Sequence, residues 1–252
     1  MHTVLHRVGR NRPQVVKLKL LSCVVAAVFV ACRSSVEPAG GGIPVISLVL
    51  LGGDSIQMGT ITLSARPDSA IPDVAAPADE SQLALEIVDA GGNRFPLVAG
   101  PEPGQFTAAF TALAGERYEL SGSAYGRSVS ASTVVPATFD IVAPAADTIR
   151  LSDGIPTIAT LRVPYRFNVV GADGFALFQL APDGSLQSSG RLREAEGEMV
   201  LSRSPGIRPL ILVAYDPGAA ACQVALRPAG NITGALGCFG SALKRDRFVD
   251  AP

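Results

Sequence analysis

The chain contains no tryptophan, and its only histidines, His2 and His6, fall within the first six residues. Beyond them there is no imidazole. A Ser-His-Asp or Cys-His pair therefore lacks its base, and a zinc site lacks its commonest nitrogen ligand. Lysine is nearly absent as well, with Lys244 the only one after Lys19. Charged residues are 17% of the chain, below the roughly 25% of an average globular protein. No apolar run approaches the roughly 20 residues needed to cross a bilayer as a helix. Helical periodicity is almost missing after residue 31, and no glycine loop has the pattern that cradles phosphate.

What is present begins with the leader. Residues Leu20 to Ala31 are apolar or small, and Arg7, Arg10, Arg12, Lys17 and Lys19 precede them with no acidic residue. That is the anatomy of a secretory signal. The exit site "FVAC", Phe29 to Cys32, is similar to the lipobox of bacterial lipoproteins, in which a small residue precedes a cysteine that is lipidated and becomes N-terminal. Phe29 departs from the usual leucine. The earlier "LLSC" at Cys23 is set aside, because its apolar segment would follow the cut. The alternatives are an ordinary cleaved signal or a short buried helix. The reading is a lipoprotein signal over residues 1–31, lipidation at Cys32, and a tether over residues 32–42, "CRSSVEPAGGG". Five of the 21 basic residues and none of the 22 acidic ones lie in the leader, so the remainder carries a net charge of −6. That argues against nucleic acid as a partner, since phosphates require a basic face.

The rest reads as all-β. "TLRVPYRFNV" alternates strictly, with Leu161, Val163, Tyr165, Phe167 and Val169 on one face. Pro164 places this strand at an edge or a bulge. "LALEIVD" puts Leu83, Leu85 and Ile87 on one face, and "GQFTAAFTAL" does the same for Phe106, Ala108, Phe110 and Ala112. "DAGGNR", "AYGRS" and "PDGS" are tight-turn sequences joining such runs. The expectation is an antiparallel β-sandwich, built as two Ig-like or transthyretin-like units over residues 43–150 and 151–252.

Two segments carry a resemblance. "PGQFTAAFTALAGERYELSGSAYGRSVSASTVVP" has the strand-and-turn order of secreted sandwich modules, and "AYDP…GNITGALGCFGSA" closes the chain. Together they resemble a family of uncharacterised outer-membrane lipoproteins, a domain of unknown function, encoded beside TonB-dependent receptors. Members end in an Asn-Ile-x-Gly-Gly-x-Gly-x-Phe-Gly-like segment, here Asn231 to Gly240 with Ala235 in place of one glycine. The first segment alone also resembles transthyretin-like and carboxypeptidase-regulatory modules. The resemblance implies a β-sandwich, anchored to the bacterial outer membrane by its N-terminal lipid, with a TonB-dependent receptor as a possible partner. It implies no catalytic residue, and Arg33 rather than Asp after Cys32 suits outer-membrane sorting.

Cys222 and Cys238 are the cysteines left after Cys23 is cut away and Cys32 is lipidated; in an exported compartment they are expected to form a disulfide, with two buried free thiols as the alternative. Lys244 is the only candidate for a Ser-Lys dyad and reads better as a solvated strand end. Glu194, Glu196 and Glu198 share a face and could serve calcium, but read first as a charged edge. Asp173 and Asp183 are turn residues, and the sequon at Asn231 has no meaning in a bacterial lipoprotein. Spaced carboxylates of the glycosidase kind have no local support, and exposed aromatics for sugar stacking are few. No catalytic residue, metal or cofactor is assigned. The functional expectation is a binding or accessory lipoprotein of an outer-membrane transport system, with a structural or adhesive surface lipoprotein as the alternative. Recognition is expected from loops such as Gly91–Arg94, Tyr125–Arg127 and Asp173–Gly174.

Overall fold

The computed structural model describes residues 42–64, 74–151, 160–181, 183–202, 205–223 and 230–251. The leader, Cys32 and nearly all of the tether lie outside these residues. β1 (Ile43–Leu51) and β2 (Gln57–Ser64) form a hairpin, and β3 (Val74–Pro77) returns along β2. A 3-10 turn, Glu80–Gln82, leads into β4 (Leu83–Asp89), which pairs with β5 (Arg94–Pro96). The short β6 (Val98–Ala99) and β7 (Gln105–Ala108) follow, then the hairpin β8 (Arg117–Ala124) and β9 (Arg127–Val134). The second half runs β10 (Thr138–Ala143), β11 (Thr148–Arg150), β12 (Thr160–Val170), β13 (Gly174–Leu180), β14 (Leu186–Leu192), β15 (Glu196–Ser202) and β16 (Gly206–Tyr215). One short helix, α1 (Pro217–Gln223), precedes the long final strand β17 (Leu236–Ala251).

These strands make three sheets. The largest has the order β14-β13-β16-β17-β1-β2-β7-β6, with β11 added to β17 and β3 to β2. The others are β5-β4-β8-β9 and β10-β12-β15. Their inner faces share one continuous core, from Ile46 and Leu48 through Leu120 and Phe139 to Leu212, Phe239 and Val249. The all-β sandwich expected from alternation is therefore the architecture found. Val163, Tyr165 and Phe167 are buried on β12 and the residues between them are exposed. In "AYGRS", Tyr125 (φ 51°) and Gly126 (φ 72°) take the two positive φ angles of a two-residue hairpin turn.

Two features go beyond the alternation pattern. Among the described strands every pair is antiparallel except β1–β17 and β11–β17, which are parallel. The boundary expected at residue 151 falls at the end of β11, yet the large sheet crosses it, because β17 is hydrogen-bonded to β1. β12 is the central strand of its sheet, but at Pro164 it is locally an edge, one of the two settings, edge or bulge, that the proline pointed to. The proline is tolerated there because pairing with β10 stops at Arg166, which leaves Pro164 paired only with Glu198 of β15. β10 also carries a register shift opposite this stretch, between Ile141 and Ala143.

Candidate functional site

The C-terminal motif folds into a polar clasp. Asp216, 5% exposed, caps α1: its Oδ1 accepts from the Ala219 amide and the Ser241 amide, both at 2.8 Å. Its Oδ2 lies 2.5 Å from Thr133 Oγ1 on β9, and Ser241 Oγ is 2.8 Å from that hydroxyl. A buried carboxylate is costly unless hydrogen-bonded, and this one is bonded through both oxygens. Asn231 acts as a side-chain rung: its Nδ2 donates to Phe239 O at 2.6 Å and its Oδ1 accepts from the Phe239 amide at 2.9 Å. The glycines have steric reasons. A Cβ at Gly240 would lie 1.9 Å from the Ala219 amide nitrogen, so glycine lets α1 sit on β17. Gly237, at φ +99°, lies where a Cβ would be 2.0 Å from Ile46 O on β1. Cys222 and Cys238 are disulfide-bonded, with Cα atoms 5.1 Å apart, and tie the end of α1 to the start of β17. The segment that carried the family resemblance is thus a packing and closure device.

The remaining expected residues are dispersed. Glu196 and Glu198 stand on the outer face of β15 opposite Arg166 and Pro164, and Glu198 lies 3.4 Å from Arg162. Glu194 precedes the strand, and its carbonyl accepts from Tyr165 OH at 3.0 Å. Lys244 Nζ lies 3.1 Å from Asp54 Oδ1, so a carboxylate occupies the only lysine described. No group of three His, Cys, Asp or Glu side chains among the described residues converges as a metal site. The loops named for recognition separate. Leu83 pairs with Ala124 and Asp89 with Tyr118, which puts the Tyr125–Arg127 turn at one end of the four-stranded sheet and Gly91–Arg94 at the other. In the latter turn, Asn93 donates to both Asp89 oxygens, holding that carboxyl below its ordinary pKa. Asp173 leads into β13, its amide donating to Tyr215 O at 2.8 Å. The Asp183 carboxyl is likewise held low by the Ser185 hydroxyl and amide.

One concave feature among the described residues is one the sequence did not single out. A cleft of about 360 Å³ opens at the end of the large sheet where β1 begins, since Thr62 pairs with both Val45 of β1 and Pro77. Two connections wall it: residues 77–80, between β3 and β4, and residues 99–106, between β6 and β7. Tyr125 fixes the first, its hydroxyl accepting from the Asp79 amide and its own amide donating to Gln82 O. The acidic lining residues are Asp79, Glu80 and Glu102, and no basic residue lines it. Gln105, 8% exposed, stands in its wall. The Pro and acidic content of "PADES" and "AGPEPGQ" marks both as turns, but nothing local indicates that they meet.

No protein-family model and no curated protein matches the sequence. Among solved structures the chain is similar to fibronectin(III)-like modules of Clostridium thermocellum CbhA, at 13% identity over 82% of this chain and 90% of that one, with a TM-score of 0.24. It is also similar to a chimeric titin Z1Z2, at 12% identity over 85% of this chain and 100% of that one, with a TM-score of 0.23. Likenesses at this level carry no functional detail. The fold itself is an all-β sandwich.

Proposed function

We propose that the protein is a non-catalytic, lipid-anchored lipoprotein of the bacterial outer membrane that acts as a binding or accessory module, with a TonB-dependent transporter as its partner. The observation that carries the anchored reading is the way the chain enters the fold. Only ten residues separate Cys32 from Ile43, where β1 begins. β1 is hydrogen-bonded on both edges, to β17 and β2, so a pull on the tether is borne by an interior strand. β17 then extends over 16 residues, roughly 50 Å at strand rise, and carries the second half away from the point of attachment. The basic leader and "FVAC" support the lipid. Tethering raises the effective concentration of the folded part near other membrane proteins. A non-catalytic role is supported by the absence of imidazole after residue 6 and by the Lys244–Asp54 contact.

The test has two arms. Cys32→Ser is expected to lose incorporated palmitate and to leave the membrane fraction; equal labelling of the variant removes the anchor. Affinity capture of the full chain from detergent-solubilised outer membranes is expected to recover a TonB-dependent transporter. Its absence, together with hydrolysis of a glycan or peptide by the purified protein, reverses the binding-module reading.

A further inference from the structure

The first and last strands meet in a geometry suited to tension. β1 and β17 run parallel, with residues 45–51 in register with 236–242. The chain enters β1 at Ile43, beside the start of β17, with ten residues between it and Cys32. From Ala242 onward β17 belongs to the second half, paired with β16 as far as Ala251 and with β11 at residues 248–250. A pull on the tether therefore acts at one end of the shared ladder, and a hold on the second half acts at the other. The two forces oppose each other along the strands. The bonds between the strands are then strained together, whereas a pull across the strands from one end opens them in turn. Slippage is blocked as well. Ile46, Leu48 and Leu50 are buried on the inner face of β1, and a one-residue slip would turn all three outward.

The second observation is what holds β17 along that stretch. Its pairing with β16 begins at Ala242, so over residues 236–241 none of the described strands is hydrogen-bonded to the edge away from β1. Side chains take that place. The Phe239 amide donates to Asn231 Oδ1 and the Phe239 carbonyl accepts from Asn231 Nδ2, while the Ser241 amide donates to Asp216 Oδ1. Cys238 is joined covalently to Cys222 of α1. β17 is thus gripped at residues 238, 239 and 241, the register partners of Ser47, Leu48 and Leu50 on β1. Capping α1 requires Asp216 alone; Asn231 and the disulfide act on β17. We infer that the β1–β17 ladder and its side-chain clasp form a tension-bearing joint between the N-terminal anchor and a partner held by the second half. This rests on the anchored reading of the proposed function, and it gives the segment Asn231 to Gly240 a mechanical role.

The experiment is single-molecule stretching of the processed chain, residues 32–252, under non-reducing conditions. One geometry grips Cys32 and Pro252, which loads the ladder along the strands. The other grips Cys32 and a Ser128→Cys handle. Ser128 is exposed and lies at the end of the ladder where β1 enters, since its carbonyl packs against Gly234 and its neighbour Ser130 bridges to Thr233. The yield force is expected to be about twofold higher or more in the first geometry, because forced unfolding follows the barrier that the pull must cross and not the equilibrium stability. Asn231→Ala is expected to lose much of that excess. Met199→Ala, fully buried on β15 in the three-stranded sheet, is expected to lower the urea midpoint and to keep the yield force. Equal yield forces in the two geometries, or a force that falls with Met199→Ala as far as with Asn231→Ala, overturn the joint. Equal palmitate labelling of Cys32→Ser removes the anchor and with it the source of the load, whereas a weak ladder in an acylated protein removes only the joint.

Discussion

Some buried polar side chains join elements that share no ladder, and others close turns. Gln179, fully buried on β13, pairs with the backbone of Ser202 on β15: its Nε2 donates to Ser202 O at 2.8 Å and its Oε1 accepts from the Ser202 amide at 2.7 Å. That amide rung links the large sheet to the three-stranded one. Gln57 closes the turn between β1 and β2, donating to Asp54 O at 2.7 Å and accepting from the Leu51 amide at 2.7 Å. Three tyrosines have a pH consequence. Burial, first of all causes, pushes the phenols of Tyr118, Tyr165 and Tyr215 above their ordinary value of 10.0. The folded state then holds the phenolic proton more tightly than the unfolded one. The stabilisation is fully present below about pH 10 and is lost as pH rises past it toward the folded pKa values. Urea midpoints are therefore expected to stay level from about pH 8 to 9.5 and to fall above about pH 10. Tyr165→Phe should shrink that alkaline loss; a variant that follows the parent curve argues against a buried phenol there.

At the level of elements, α1 and β17 depend on each other. The helix sequence "PGAAACQ" is small because it rests on β17 at Phe239 and Gly240, and it packs its alanines against Ala242 and Tyr215. Seven residues make too short a helix to stand alone in water, so its order comes from the Asp216 cap, this packing and the Cys222–Cys238 bridge. The bridge joins positions 16 apart. In the chain-entropy account, closing a loop of about 15 residues stabilises by about 3 kcal/mol. The double variant Cys222→Ala/Cys238→Ala is expected to lower the unfolding free energy by about 2–4 kcal/mol. Denaturant titration under non-reducing conditions measures this, and two free thiols titrated in the parent protein would contradict the bridge.

For the whole molecule, β17 decides how the halves relate. It carries β16 along residues 242–251, β1 along 236–242 and β11 along 248–250. Its middle is buried on both faces, with Phe239 and Leu243 in the main core and Ala242 in the smaller cluster under α1. Deleting residues 151–252 removes β17, one of the two partners of β1, and opens the core over Ile46, Leu48 and Leu50. The two halves expressed separately are therefore expected not to fold, and the intact chain is expected to melt in one transition, with calorimetric and van't Hoff enthalpies in agreement. Two resolved transitions, or a folded 43–150 fragment, would show that each half stands alone.

The sequence by itself determined the all-β class, the buried faces of β4 and β12 and the hairpin turn at Tyr125–Gly126, because each rests on local periodicity or local φ requirements. Counting made Cys222 and Cys238 the expected pair but left two free thiols open, and the fold brings them together. Tertiary structure decided the rest, since it depends on residues far apart in the chain. The parallel union of the first and last strands leaves no local mark, because a period of two is the same for parallel and antiparallel neighbours. Nothing local marked Asp216, which Thr133 meets from β9, 83 positions away. Pro164 pointed to an edge or a bulge, but only the fold showed a central strand whose second neighbour stops short of it. The acidic cleft exists only because two proline-rich connections, unremarkable apart, are brought together where β1 begins.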